Sequence, residues 1–202
     1  FDSIDCASLM CNSVDANNET TCYKYHLCIE DAQNVIKQSS LQFDMTRSPT
    51  KKEELFLDFD DYKLMRNNVW LKMVQSDENN APHFSLKTRV EGISGCGIKY
   101  RTRKLKALTE LMQFDEVKQL FGERSMSDIY PVASLRVISC EFTCTSKPIK
   151  LVLSSTLFND SSYVTCSFEG AVDTTLMDKL SQNGEKYLPV RSKIIEFFNR
   201  YD

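Results

Sequence analysis

Residues 131–169 read PVASLRVISCEFTCTSKPIKLVLSSTLFNDSSYVTCSFE, three runs rich in β-branched and aromatic residues parted by short polar turns. Val132–Phe142, Ile149–Thr156 and Tyr163–Glu169 each have strand length. Such spacing specifies an antiparallel meander. Working outward, Thr20–Cys28, Glu54–Phe59, Val69–Gln75, His83–Val90 and Ile98–Arg103 also read as strands. Arg47–Lys52 with Pro49 reads as a polar turn, Ser76–Pro82 as a loop, and Gly92, Gly95 and Gly97 mark another loop. Glu30 and Asp31 open an amphipathic helix with Ala32, Val35 and Ile36 on its inner face. Lys104–Phe121 and Asp173–Gln182 are helix-like, and a last helix, Val190–Arg200, directs Ile194, Ile195, Phe198 and Tyr201 to one side. About eight strands with helices between them give an α+β fold, and antiparallel strands of that number close as a barrel. No repeat or linker divides the chain, so 20–202 is one domain behind an irregular polar arm, 1–19.

The composition narrows the function classes. The chain has 202 residues, is 42% hydrophobic, and carries a net charge of -3. That size buries a substantial core, and an ordinary apolar fraction with little net charge excludes disorder. The faintly acidic balance argues against nucleic acid as a partner. No apolar run approaches the roughly 18 residues of a membrane span. Lys99, Arg101, Arg103, Lys104 and Lys106 form a basic run, but only Tyr100 interrupts it with a ring, so a solvated outer strand face is the preferred reading.

Eight cysteines stand out: Cys6, Cys11, Cys22, Cys28, Cys96, Cys140, Cys144 and Cys166. None are at C-x-x-C spacing and only His26 and His83 accompany them, so zinc is poorly supported. Disulfides in a secreted chain are the expectation, with the pairing left open among 105 alternatives. The sequons at Asn18 and Asn159 point to N-glycans on an extracellular protein. The sequence also starts at Phe1, as a processed mature chain would. Cys22 and Cys28 on one strand lie roughly 20 Å apart and cannot pair with each other. A straight strand likewise disfavours Cys140 with Cys144. The histidines are tied to no nucleophile motif and read as ordinary hydrogen-bonding residues.

Three segments resemble the CYTH family, the triphosphate tunnel metalloenzymes. Leu55–Met73 (LFLDFDDYKLMRNNVWLKM) is similar to its "YYDTP…L…WLRRR" signature, residues 131–169 to its three-strand meander, and Pro189–Tyr201 (PVRSKIIEFFNRY) to its C-terminal helix. The resemblance implies an eight-stranded antiparallel tunnel in which carboxylates hold divalent metal and basic side chains hold a triphosphate. Carried over residue by residue, it retains Lys24, Lys72, Lys87, Lys193 and Glu169. It places Thr20, Cys22, Thr102, Val152, Ser154 and Ser167 where acids belong, Ser139 where an arginine belongs, and Val74 at a second basic position. One glutamate and a few hydroxyls do not assemble a magnesium site, so no metal and no cofactor is expected. The resulting expectation is a secreted pseudoenzyme that binds an extracellular partner or a phosphate-rich or sulfated anion in a lysine-lined tunnel. The alternative is a residual triphosphatase or nucleotide phosphohydrolase using Glu169, the lysines and rearranged acids such as Glu141.

Overall fold

The computed structural model describes residues 19–77, 79–90, 98–159, 161–170 and 193–201. Eight strands run β1 (Glu19–Leu27), β2 (Phe43–Asp58), β3 (Val69–Ser76), β4 (Asn79–Arg89), β5 (Ile98–Leu105), β6 (Tyr130–Cys144), β7 (Ile149–Leu157) and β8 (Ser162–Gly170). All neighbours are antiparallel, and the order β1-β5-β4-β3-β2-β6-β7-β8 closes into a barrel. Closure leaves few unpaired edges, which suits strands whose alternation covers both faces. The meander is β6–β7–β8, with Ser139 opposite Ser154 and Ser154 opposite Thr165.

Helices cover the outer wall in two sectors. Over the first lies α1 (Ile29–Ser39), with Ala32 and Val35 buried against Leu27, Cys144, Ile149, Cys166 and Phe168. Over the second lie α2 (Lys63–Arg66), a 3-10 segment (Leu108–Gln113) and α3 (Asp115–Phe121), closing on Leu57, Val69, Leu71, Leu86 and Leu105. Residues of the opposite alternation therefore face the lumen. There Phe56, Ala133, Leu135 and Val137 meet Ile194 of the last described helix, α4 (Lys193–Tyr201), which caps one end of the barrel.

Several expectations are corrected. Residues 47–52 are not a turn but part of β2. Pro49 fits because bulges flank Arg47 and because pairing with β3 starts only at Lys52, opposite Ser76, so its missing N–H breaks no ladder bond there. The loop before His83 is shorter than read, since Asn79 already pairs with Ser76. Lys104 and Leu105 complete β5, and extended backbone at Phe114 splits the following helical stretch in two. Arg103 is not solvated: it is 8% exposed, bonds Glu116 at 2.7 Å and stacks 4.3 Å from the Phe114 ring. In α4, Ile194 is buried, but Ile195 and Tyr201 are 51% and 45% exposed. At 100° per residue the lumen cap takes positions 194, 197 and 198 and turns Ile195 away. The expected helix 173–182 lies outside the described residues.

The disulfide expectation fails for four residues. Cys28, Cys140, Cys144 and Cys166 are free thiols. Cys140 and Cys144 sit four positions apart on β6, about 13 Å, well beyond a disulfide's reach. Cys144 and Cys166 pack as small apolar residues beneath α1, and the Cys28 sulfur caps that helix by accepting the Asp31 N–H at 3.4 Å. Burial, helped by neighbouring Cys28, pushes the Cys166 thiol up to about 11, which makes it inert. Cys6, Cys11, Cys96 and the side chain of Cys22 lie outside what the structure describes, as does Asn18.

Candidate functional site

The signature segment holds its shape through two aspartates. Asp58, fully buried at the end of β2, accepts N–H bonds from Phe59, Leu64 and Met65 at 2.8–2.9 Å. One carboxylate thereby satisfies the start of α2, whose first N–H groups have no partners within the helix. Burial raises the Asp58 pKa despite those donors. Asp61 is held by both terminal nitrogens of Arg124, at 2.8 and 2.9 Å, and this pairing pushes its carboxyl down to about 2. These contacts fix the turn that delivers β3 and Lys72 to the barrel.

Strand register shows which of the singled-out positions share the lumen wall. Lys87 opposes Trp70 on one side and Thr102 on the other. Ser139 opposes Ser154, Val152 opposes Ser167, and Lys24 opposes Glu169. Cys22 opposes Tyr100, two residues along β5 from Thr102 and on the same face. Strand register thus places Lys24, Lys72, Lys87, Glu169, Thr102, Ser139, Ser154 and Ser167 on one barrel face, and Lys193 comes from α4.

The side chains divide these lysines into different environments. Lys72 donates to Glu54 Oε1 at 2.7 Å, and Lys193 lies 2.6 Å from Glu54 Oε2. Glu54 is 4% exposed. Burial alone would raise its pKa, but Lys193 and Lys72 outweigh that and hold it well below the usual carboxylate range. Lys87 stands 3.6 Å from the centre of the Tyr100 ring and 5.9 Å from that of Trp70, and those two rings meet edge-on. Glu169 accepts from Ser167 Oγ at 3.0 Å, and Glu141 lies 3.6 Å from Lys150.

Sequence reading missed Glu54 as a functional position. Its signal was available: it shares the alternation of Phe56, and an acid on the inner face of a strand needs a cationic partner. Asn159 is exposed in the turn between β7 and β8, where its N–H bonds the Tyr201 hydroxyl at 3.3 Å. The Ser161 hydroxyl of the same sequon is bonded by Arg200. An open groove of about 470 Å³ on the barrel wall is lined by Lys51, Lys52 and Arg136 together with Glu53 and Asp77.

The metal that the fold resemblance implies does not fit this donor set. Among the described residues no three His, Cys, Asp or Glu side chains gather as a ligand group. The buried Glu54 carboxylate is taken up by two ammonium groups, and of the acidic positions that the resemblance implies Glu169 is kept while Thr102, Val152, Ser154 and Ser167 carry no carboxylate.

Comparison with known proteins agrees on architecture. No family model matches the chain, and no curated protein matches it. Among solved structures, it is similar to HpAC1 of Hippeastrum, an adenylyl cyclase candidate with a dominant triphosphatase activity, at TM-score 0.55 and 16% identity over 89% of this chain and 95% of that one. It is also similar to an adenylate cyclase candidate of Bacillus halodurans, at TM-score 0.54 and 15% identity over 90% and 97%. At such identities the likeness is one of fold: a CYTH-like antiparallel tunnel.

Proposed function

We propose that this chain is a non-catalytic binding protein on the triphosphate-tunnel fold, one that holds a polyanion without hydrolysing it. The supporting observation is the bridge from Glu54 to Lys72 and Lys193. It spends the buried lumen carboxylate on lysines rather than on a metal, and it neutralises part of the basic wall that would grip a triphosphate during reaction. Lys87, on its aromatic wall, and Lys24, in register with Glu169, are the anion-binding candidates. The triphosphatase activity printed for the Hippeastrum protein motivates inorganic tripolyphosphate as the first probe.

We further propose that the protein works outside the cell with N-glycans on Asn18 and Asn159. This rests on the two sequons and the exposure of Asn159, since the four described cysteines are thiols. Expression through a secretory pathway followed by peptide-N-glycosidase F should shift the wild type, and Asn159→Gln should reduce that shift. Wild-type protein with no shift would refute glycosylation.

Calorimetry tests the binding reading. Tripolyphosphate or a sulfated glycan should give saturable heat that weakens in Lys24→Met and Lys87→Met. No heat with any polyanion would end it.

A further inference from the structure

The rim formed by β2, β3, β4 and β5 has chemistry of its own. Lys52 on β2 pairs with Ser76, His83 on β4 pairs with Val74, and Ser85 on β4 stands between Lys72 on β3 and Lys104 on β5. Alternation puts Lys52, Lys72, His83, Ser85 and Lys104 on the lumen face. Lys52 also pairs with Val137 of β6 and lines the wall groove that carries Glu53 and Asp77. Four strands therefore direct four nitrogen-bearing groups to one mouth, and Glu54 engages Lys72 alone among them. Lys52, His83 and Lys104 have no side-chain hydrogen-bond or ion-pair partner among the described residues.

We propose that this mouth is the docking site of a multiply charged oxyanion, a phosphate or sulfate ester group held by Lys52 and Lys104 with the His83 imidazole as third donor. None of the three is a position that the family resemblance carries over. The inference rests on the polyanion-binding reading and names where the anion enters. Lys87, four residues along β4 on the same face, then receives a chain of phosphates that reaches inward.

The site also couples binding to protons. His83 is faced by Lys52 from β2, Lys72 with its Glu54 partner from β3, and Lys104 from β5. Partial burial, and then Lys104, Lys72 and Lys52, depress its pKa below the ordinary 6.5, so it is neutral at pH 7. An oxyanion between the lysines offsets their repulsion and favours the imidazolium, which donates from both ring nitrogens. Binding takes up a proton and strengthens as pH falls.

The test follows the His83 imidazole by NMR against pH, with and without tripolyphosphate and with no added divalent cation. His83→Gln assigns the signal, since His26 is the only other histidine. The His83 midpoint should rise by about one unit, a tenfold preference of the anion for the charged ring. Lys52→Met/Lys104→Met should bind about a hundredfold more weakly, tenfold per lost charge-assisted contact, with unchanged thermal stability. A sulfated disaccharide in a parallel titration distinguishes phosphate from sulfate as the source: equal response assigns any oxyanion, and response to tripolyphosphate alone assigns phosphate. Binding of tripolyphosphate with an unmoved His83 signal and an unaffected double variant would overturn this site and leave the polyanion reading standing. Absence of binding in the wild type would overturn both.

Discussion

Glu54 Oε2 lies 2.6 Å from Lys193 Nζ, so the middle of β2 is tied to the first residue of the capping helix α4. The same carboxylate reaches Lys72 on β3 through its other oxygen. One acid thus joins three elements inside the lumen. In a metal-binding tunnel a buried acid would be expected to serve the ion, and here it fastens the cap.

Glu54→Gln should therefore cost about 3 kcal/mol, the low end for breaking a buried ion pair, because both lysine heads keep some access to water. Urea unfolding measures it. Triple replacement by Leu at 54 and Met at 72 and 193 should recover most of the loss. A neutral Glu54→Gln would show that the bridge is ornamental.

Acid should weaken the fold in two stages. His83 has a folded pKa below 6.5, so as pH falls through 6.5 the unfolded chain binds the proton first and stability drops. Glu54 has a folded pKa below its ordinary 4.5, so its contribution is complete above 4.5 and is lost as pH falls further. Urea midpoints recorded from pH 8 to 3 should show both steps, and His83→Gln should erase the upper one alone. A wild-type profile that stays level from pH 8 to 5 would contradict the first assignment.

Asp58→Ala leaves three buried N–H groups without an acceptor and should cost about 3 kcal/mol by chemical denaturation. Asp58→Asn keeps one acceptor oxygen and should cost less. Equal effects would mean that the carboxylate is not the clamp for α2.

Alkylation without reductant should find thiols at Cys28, Cys140, Cys144 and Cys166 once the protein is unfolded. In the native state Cys166 should react last, being buried with its pKa near 11. Mass spectrometry of the labelled peptides reads both results, and a disulfide-linked peptide containing any of the four would overturn the thiol assignment.

The barrel was legible because its evidence is local. Alternation in residues 131–169 and the turns between those strands specify a meander, and the signature around Asp58 places β2, α2 and β3. What stayed hidden depends on register. Pro49 read as a turn because sequence does not show which side of β2 is unpaired. Arg103 read as a solvated cation because its partners, Phe114 and Glu116, come from a segment that folds back over β5. The cysteines read as bridged because count and sequons speak to compartment, whereas pairing depends on three-dimensional reach. The lysines were singled out through the family resemblance and Glu54 was not, since its contacts exist only where β2, β3 and α4 converge. His83 likewise looked ordinary until β2, β3 and β5 set lysines around it.

The most direct test mixes tripolyphosphate with the wild-type protein and magnesium and follows both by phosphorus NMR. The account predicts shifted or broadened tripolyphosphate resonances, with no orthophosphate or pyrophosphate accumulating over the blank. Accumulating orthophosphate that disappears in Glu169→Gln would contradict it and establish a working triphosphatase.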